Sequence, residues 1–145
     1  MRCQGVVVKQ VSKPISVLLV EDHTLLRREL RRTLDGDSDI AVVGEAANGA
    51  EASELAGRLK PDVVVMDLAM PVMDGIQATR RMLARDPATA VLILSMDSRE
   101  SRITTAFAAG VRGYLVKDAA DLDLPDAIKE IASGKQVLHR GGSAR

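Results

Sequence analysis

The chain is poor in cysteine and in aromatic residues. Its 145 residues include one Cys, one Phe, one Tyr and no Trp. Cys3 has no second cysteine to pair with, so no internal disulfide is possible, which favours a reducing compartment. With so few aromatic rings, a buried core has to be built from Val, Leu, Ile, Ala and Met. Hydrophobic residues make up 46% of the sequence, and a chain of this length is expected to form one domain.

The sequence also lacks an excess of charge and a long apolar run. Twenty Lys and Arg residues balance twenty Asp and Glu residues, so there is no overall field that attracts nucleic acid or an anionic membrane. No apolar run approaches the roughly 20 residues of a membrane-spanning helix, and the apolar stretch after Met1 is too short for a secretory signal. We therefore expect a cytoplasmic protein with no membrane partner.

From Ile15 onward, short β-branched runs alternate with longer segments of helical periodicity. This alternation predicts five βα units and an α/β domain with one doubly wound parallel sheet. The predicted strands are Ser16–Val20, Ile40–Ala46, Asp62–Met66, Ala90–Leu94 and Arg112–Val116. The predicted helices are Thr24–Leu34, Ala50–Leu59, Gly75–Ala84, Ser98–Ala109 and Leu122–Ala132. The second strand is less uniformly apolar than the others and is expected at an edge of the sheet.

The domain is expected to span residues 15–139. Residues 1–14 are interpreted as a flexible N-terminal extension. The apolar run Val6-Val7-Val8 within it is the alternative, an additional edge strand. Residues 140–145 are interpreted as a linker or tail, because Gly141-Gly142-Ser143 is typical of a flexible connection.

Polar residues follow four of the predicted strands at the point where each strand ends. These residues are, in chain order, Glu21, Asp22, Asp67, Ser95 and Lys117. Taken singly, each is more typical of a turn or a solvated loop than of a binding site. In an open parallel sheet, however, the ligand crevice lies beyond the carboxyl ends of the strands. All five are therefore expected along one edge of the sheet, which favours a functional site.

The chemistry of this edge predicts a metal-dependent nucleophile. Three carboxylates brought together repel one another unless a cation neutralises them. The predicted cation is Mg²⁺, which prefers oxygen ligands and commonly binds one or two carboxylates together with phosphate oxygens. A carboxylate at such a site can attack phosphorus, with Asp67 as nucleophile, Lys117 as a point charge and Ser95 as a hydrogen-bond donor. The neighbouring His23 is more typical of a structural residue than of a metal ligand.

Three segments of the sequence closely resemble motifs of two-component response-regulator receivers, and the resemblance covers residues Ile15 to His139. The segments are Val17–His23 (VLLVEDH), Val65–Gly75 (VMDLAMPVMDG) and Gly113–Ala119 (GYLVKDA). The Asp22-His23 ending and the run from Ala109 to Tyr114 are most similar to the NarL/FixJ (LuxR-type) subfamily.

This resemblance implies a flavodoxin/CheY-like sheet with strand order 2-1-3-4-5. It also implies that Asp67 is the phosphoacceptor and that Glu21 and Asp22 form the acidic pocket. The backbone carbonyl of Ala69 would complete the protein ligands of Mg²⁺.

The resemblance further assigns Ser95 and Lys117 to the hydroxyl and lysine positions of the family, and Tyr114 to its aromatic switch position. A sensor histidine kinase would supply the phosphoryl group to Asp67. The added charge would draw Ser95 inward and let Tyr114 change rotamer, which alters association with other proteins. Such a domain is not an enzyme, beyond catalysing its own phosphotransfer and dephosphorylation.

The resemblance leaves the output open. Full-length members of that subfamily carry a helix-turn-helix domain, for which this chain has no room after Arg145, so we expect the regulatory half of a transcriptional regulator. DNA would then be a partner only through an output domain absent here, and a second copy of the chain is another candidate partner. The alternative is a stand-alone receiver that acts by protein contact.

Two other classes share parts of the pattern. A phosphatase of the haloacid dehalogenase type also uses an Asp after an apolar strand, but it carries a general acid two residues later, where this chain has Ala69. A flavodoxin-like electron carrier needs hydroxyls and backbone donors in the first loop, whereas residues Glu21–Thr24 are acidic.

Overall fold

The computed structural model describes residues 13–117 and 123–139, which form six strands and five helices. The strands are β1 (Ile15–Val20), β2 (Ile40–Ala46), β3 (Val63–Asp67), β4 (Ala90–Ser95), β5 (Gly113–Val116) and β6 (Val137–His139). The helices are α1 (Thr24–Asp35), α2 (Gly49–Leu59), α3 (Gly75–Arg85), α4 (Glu100–Ala109) and α5 (Leu124–Ala132). The five predicted strands and helices are confirmed, whereas β6 was not predicted.

The strands form one parallel sheet in the order β2-β1-β3-β4-β5-β6. Its first five strands have the predicted order 2-1-3-4-5, and β2 lies at an edge as expected. The chain passes from β1 outward to β2 and then returns to β3 on the other side of β1. In such sheets this reversal of strand order opens a crevice at the carboxyl ends of the two strands. Glu21 and Asp67 lie at that reversal, because Val20 pairs with Met66.

The core consists of two aliphatic layers, one on each face of the sheet. On one face, β-strand residues pack against the helices α2, α3 and α4 through Ala52, Ile76, Met82 and Ile103. On the other face they pack against α1 and α5 through Leu30, Leu34, Ile128 and Ile131. Because helices cover both faces, the central strands are continuously apolar. The expected aliphatic core is therefore present, with Tyr114 as a buried ring within it.

Side-chain caps define where four of the five helices begin, and those of α1 and α3 lie beside the carboxyl edge of the sheet. The Nδ1 atom of His23 accepts a hydrogen bond from the Leu26 amide at 3.3 Å, so His23 is the N-cap of α1. Asp74 and Gln77 form a reciprocal capping box at the start of α3. The structural interpretation of His23 is thus confirmed.

Helix α4 begins two residues later than predicted, at Glu100 instead of Ser98. Asp97 explains the difference, because its carboxylate accepts a hydrogen bond from the Arg99 amide at 3.0 Å and so forms a local turn before the helix. The predicted start of α5 at Leu122, the Val6–Val8 run and the tail after His139 lie outside the described residues.

The unpredicted strand β6 extends the sheet beyond β5. After α5 the chain turns at Gly134, whose φ of 99° is in the left-handed region that favours glycine. Val137 and Leu138 then pair with Gly113 and Tyr114 of β5. Among the helices of the described residues, none has both the length and the hydropathy needed to cross a membrane.

Candidate functional site

Three carboxylates meet at the carboxyl ends of β1 and β3. Glu21, Asp22 and Asp67 each offer an oxygen, and these oxygens all lie within 4.8 Å of one another. We call these three residues the acidic cluster. Glu21 is buried, Asp67 is partly buried and Asp22 is exposed. The parallel pairing of β1 with β3 produces this arrangement, as predicted from the order of the strands.

Lys117 connects the acidic cluster to the end of β5. Its Nζ atom lies 3.3 Å from Glu21 Oε1 and 3.7 Å from Asp67 Oδ1. The side chain of Lys117 is 16% exposed, compared with 3% for Glu21 and 11% for Asp67. One ammonium group therefore faces three carboxylates, and the site retains an excess of negative charge.

The pKa values of the two less exposed carboxyl groups reflect this imbalance. Burial raises the pKa of Glu21, and a hydrogen bond from the His23 amide at 3.1 Å only partly opposes the effect. Burial also raises the pKa of Asp67, where the charge of Lys117 opposes and that of Asp22 adds to the increase. Both carboxyl groups therefore hold a proton more readily than an ordinary Asp or Glu side chain, and a bound cation would relieve the same cost of burying their charge.

A close backbone contact fixes the loop that follows Asp67. A Cβ atom at Gly75 would lie 2.6 Å from the carbonyl oxygen of Asp67 and 3.0 Å from the Cα of Leu68, so only glycine fits there. The Gly75 amide donates to the Leu68 carbonyl at 2.8 Å, and the Ala69 amide lies 3.4 Å from Asp67 Oδ1. The loop therefore folds back over Asp67 and brings the backbone of Ala69 to its carboxylate.

The same loop contains Val72, which has an unusual backbone conformation. Its φ of 70° lies in the left-handed region, which a β-branched residue rarely adopts. Its side chain is 87% exposed. Burial of the valine side chain therefore does not account for this conformation.

Ser95 and Tyr114 lie on the neighbouring strands β4 and β5, and Asp97 links them. Ser95 is buried, and its Oγ atom accepts a hydrogen bond from the Asp97 amide at 2.9 Å. Tyr114 is fully buried, and its hydroxyl donates to the Asp97 carbonyl at 2.7 Å. Burial raises the pKa of the Tyr114 phenol, and a hydrogen bond with Ser95 partly opposes this. The Lys117 amide donates to the Ser95 carbonyl at 2.6 Å, which joins Lys117 to the same group.

Arg27 contributes to the site in a way that the sequence did not reveal. Its Nη1 atom donates to the carbonyl of Glu21 at 2.7 Å, and its Nε donates to Glu45 Oε1 at 2.9 Å. Arg31 binds the other oxygen of Glu45 at 2.6 Å. Arginine-rich helix faces are usually solvated, so the sequence offered no reason to expect these contacts. They arise because Glu45 lies on the adjacent strand β2, within reach of both Arg27 and Arg31.

The donor atoms of the acidic cluster fit a small, hard divalent cation. They are all carboxylate oxygens, the ligand type that Mg²⁺ prefers, and their charge is only partly compensated by Lys117. The Nδ1 atom of His23 is used as a helix cap, so this nitrogen is not directed at the cluster.

Fold and site together define a class of parallel α/β domain that has an acidic cluster and a bridging lysine at the carboxyl edge of its sheet. Residues 17–129 match the family of response regulator receiver domains. The chain belongs to this family.

The curated relatives are response regulators of the NarL/LuxR type. The nitrate/nitrite response regulator NarL of Escherichia coli (strain K12) is 36% identical over 126 residues, which are 87% of this chain and 58% of NarL. The response regulator VraR of Staphylococcus aureus (strain Mu3) is 39% identical over 124 residues, which are 86% of this chain and 59% of VraR. The chain thus spans somewhat over half the length of these relatives and represents their receiver domain.

Solved structures agree with this assignment. The receiver domain of the response regulator NarL from Mycobacterium tuberculosis has a TM-score of 0.81 and 32% identity, and the match covers 86% of this chain and all of that one. A LuxR-family response regulator from Aurantimonas sp. SI85-9A1 has a TM-score of 0.83 and 37% identity, with 86% and 89% of the two chains covered.

Proposed function

We propose that Asp67 accepts a phosphoryl group from a sensor histidine kinase and that Mg²⁺ is required. The observation that carries this proposal is the contact of Lys117 with both Glu21 and Asp67 in a cluster that retains negative charge. In the transfer, an oxygen of Asp67 forms a bond to phosphorus while the bond between phosphorus and the donor's histidine nitrogen breaks. The proton required by that nitrogen comes from the donor or from solvent.

The residues of the site have separate tasks in this proposal. Glu21, Asp22, Asp67 and the backbone carbonyl of Ala69 hold Mg²⁺, which when bound supplies positive charge against the phosphoryl oxygens. Lys117 provides a second positive charge to these oxygens, and Ser95 donates a hydrogen bond to one of them. Because Lys117 already contacts Asp67, its charge is in place before the phosphoryl group arrives.

Phosphorylation is read through Ser95 and Tyr114. When the Ser95 hydroxyl turns to the phosphoryl group, its bond to the Asp97 amide is lost and the loop between β4 and α4 moves. Tyr114 is bonded to the same residue, so its rotamer and the surface formed by α4, β5 and α5 change with that loop. The output is an altered association with other proteins or with a second copy of this chain.

We further propose that the receiver domain comprises residues 15–139 and acts in the cytoplasm. It has no catalytic activity beyond its own phosphotransfer and dephosphorylation. Its output is transcriptional, through a DNA-binding domain in the part of the NarL-type relatives that this chain does not match. The support is that the chain spans only 58% of NarL.

The phosphoacceptor is tested with acetyl phosphate and Mg²⁺. We expect one phosphate per chain in the wild type, labile to base and to hydroxylamine as an acyl phosphate is, and none in Asp67→Asn, with tandem mass spectrometry after borohydride reduction locating the site. Asp39→Asn, an exposed carboxylate at the other end of the strands, is the matched control and should retain phosphorylation. A folded Asp67→Asn protein that still gains one phosphate contradicts the assignment, and multiple turnovers with a phosphomonoester would indicate a phosphatase instead.

A further inference from the structure

The carboxylate of Asp97 is held by an arginine in the loop between β4 and α4. Arg99 Nη2 lies 2.6 Å from Asp97 Oδ2, and Arg99 Nε lies 3.0 Å from Oδ1. The Arg99 amide donates to the same Oδ1 at 3.0 Å. The guanidinium therefore contacts both carboxylate oxygens, which is the strongest geometry for such a pair.

A second arginine approaches from the next turn of α4. Arg102 Nε lies 3.8 Å from Asp97 Oδ2, and this nitrogen is buried without a hydrogen-bond partner among the described residues. Asp97 is thus the charge that compensates a buried part of Arg102. The two arginines lower the pKa of Asp97 to about 2, so its carboxylate stays charged at physiological pH.

The backbone of Asp97 contacts the two residues to which switching is assigned. Its amide donates to Ser95 Oγ at 2.9 Å, and its carbonyl accepts from the Tyr114 hydroxyl at 2.7 Å. One residue therefore has its side chain bound to the start of α4, through Arg99 and Arg102, and its backbone bound to both β4 and β5. The contacts of the carboxylate thus restrain the same short loop whose backbone binds Ser95 and Tyr114.

We propose that Asp97 is a positioning residue whose carboxylate, held between Arg99 and Arg102, holds Tyr114 in its buried rotamer. We call these three residues the Asp97 clamp. This proposal adds a residue to the step in which Ser95 and Tyr114 respond to phosphorylation, and it rests on the proposed function only for that step. The clamp restrains the loop whose backbone carbonyl accepts the hydrogen bond from the Tyr114 hydroxyl, so weakening the clamp favours exposure of Tyr114.

The burial of Tyr114 can be measured directly, because it is the single tyrosine of a chain without tryptophan. Nitration by tetranitromethane attacks the phenolate of exposed tyrosine, and its rate follows the fraction of molecules in which the ring is open to solvent. Trypsin releases Tyr114 in the peptide Gly113–Lys117, whose mass reports nitration without interference from Cys3.

We expect Asp97→Asn and Arg99→Gln each to increase the nitration rate about threefold, the size typical of losing an exposed ion-pair network. Arg99→Lys retains the charge but not the two-pronged contact, so it should fall between the wild type and Arg99→Gln. Arg80→Gln removes an exposed arginine from α3 and should nitrate like the wild type. Thermal unfolding of every variant establishes that the fold is intact.

Wild-type nitration rates in folded Asp97→Asn and Arg99→Gln overturn the proposal. Should Asp97→Asn fail to fold, Arg99→Gln decides the matter, because the Arg99 side chain is 72% exposed and its loss leaves the core unchanged. The measurement uses no phosphodonor and is repeated in Asp67→Asn. Faster nitration in the clamp variants together with no phosphorylation of wild-type Asp67 would therefore retain the clamp and refute the proposed function.

Discussion

Two groups of charged residues, the acidic cluster and the Asp97 clamp, lie at the same edge of the sheet and differ in how their carboxylate charge is balanced. The acidic cluster has three carboxylates and one lysine, and burial raises the pKa of Glu21 and Asp67. The Asp97 clamp has one carboxylate and two arginines, which lower the pKa of Asp97 to about 2. Uncompensated charge costs folding free energy and is retained where a ligand supplies the balance, whereas compensated charge holds a loop in place.

The largest effect should come from removing the one cation that contacts two members of the acidic cluster. In Lys117→Gln we expect phosphorylation by acetyl phosphate to slow by about 100-fold, because a preorganised charge against the phosphoryl oxygens is lost. Phosphate incorporation over time, measured by mass spectrometry, tests this. Lys135→Gln, an exposed lysine after α5, should react at the wild-type rate. Equal rates in Lys117→Gln and the wild type would remove Lys117 from the mechanism.

The next effect distinguishes the two groups by their response to Mg²⁺. A cation that binds only the folded wild type at 100 times its Kd stabilises it by about 2.7 kcal/mol. At the same Mg²⁺ concentration we expect Asp22→Asn to lose most of this gain, because one carboxylate ligand is missing. Asp97→Asn should retain the gain in full, since the clamp already has its counterions. Thermal unfolding with and without MgCl₂ checks both, and an equal loss in the two variants would contradict the comparison.

The smallest expected effect concerns the free energy of unfolding, measured with urea in the absence of divalent ions. At neutral pH we expect Asp67→Asn and Asp97→Asn to change it in opposite directions. The folded-state pKa of Asp67 is raised, so its charged form costs stability above that pKa and the cost disappears as pH falls through it. Asp67→Asn should therefore be more stable than the wild type at neutral pH, by a margin that shrinks on acidification.

Asp97 should behave in the opposite way in the same experiment. Its folded-state pKa of about 2 lies below the ordinary value of 3.8, so its carboxylate stabilises the fold above about pH 4 and loses this effect between about pH 4 and 2. Asp97→Asn is accordingly less stable than the wild type at neutral pH. If Asp67→Asn and Asp97→Asn were both more stable or both less stable than the wild type, the conclusion that only the acidic cluster carries uncompensated charge would be wrong.

The position of the acidic cluster could be predicted because strand order determines it. Apolar runs located the strands, and parallel pairing placed the residues after Val20 and Met66 side by side. Backbone topology is sufficient for such a prediction, since it does not depend on rotamers. The same reasoning placed Lys117 at this edge of the sheet, although its distances to the carboxylates required the structure.

Strand β6 and the Asp97 clamp could not be predicted for two different reasons. Three residues, Val137–His139, are too short to show a periodic pattern, and their pairing with β5 depends on the turn at Gly134. The clamp depends on the side-chain conformations of Arg99 and Arg102, which charge spacing alone does not specify. Sequence patterns thus located the strands that carry the site but not the side-chain contacts that restrain it.

The left-handed conformation of Val72 has a consequence for binding at the acidic cluster. A β-branched residue at φ 70° is held in a conformation of roughly 1–3 kcal/mol higher energy. The close contact of Gly75 with Asp67 and the capping box at Asp74 fix the chain that follows it. The conformational entropy of this loop is therefore lost when the protein folds, before any ligand is present. A phosphoryl donor meets a preorganised surface and does not have to order it, so more of its interaction energy remains available for affinity and for the transfer itself.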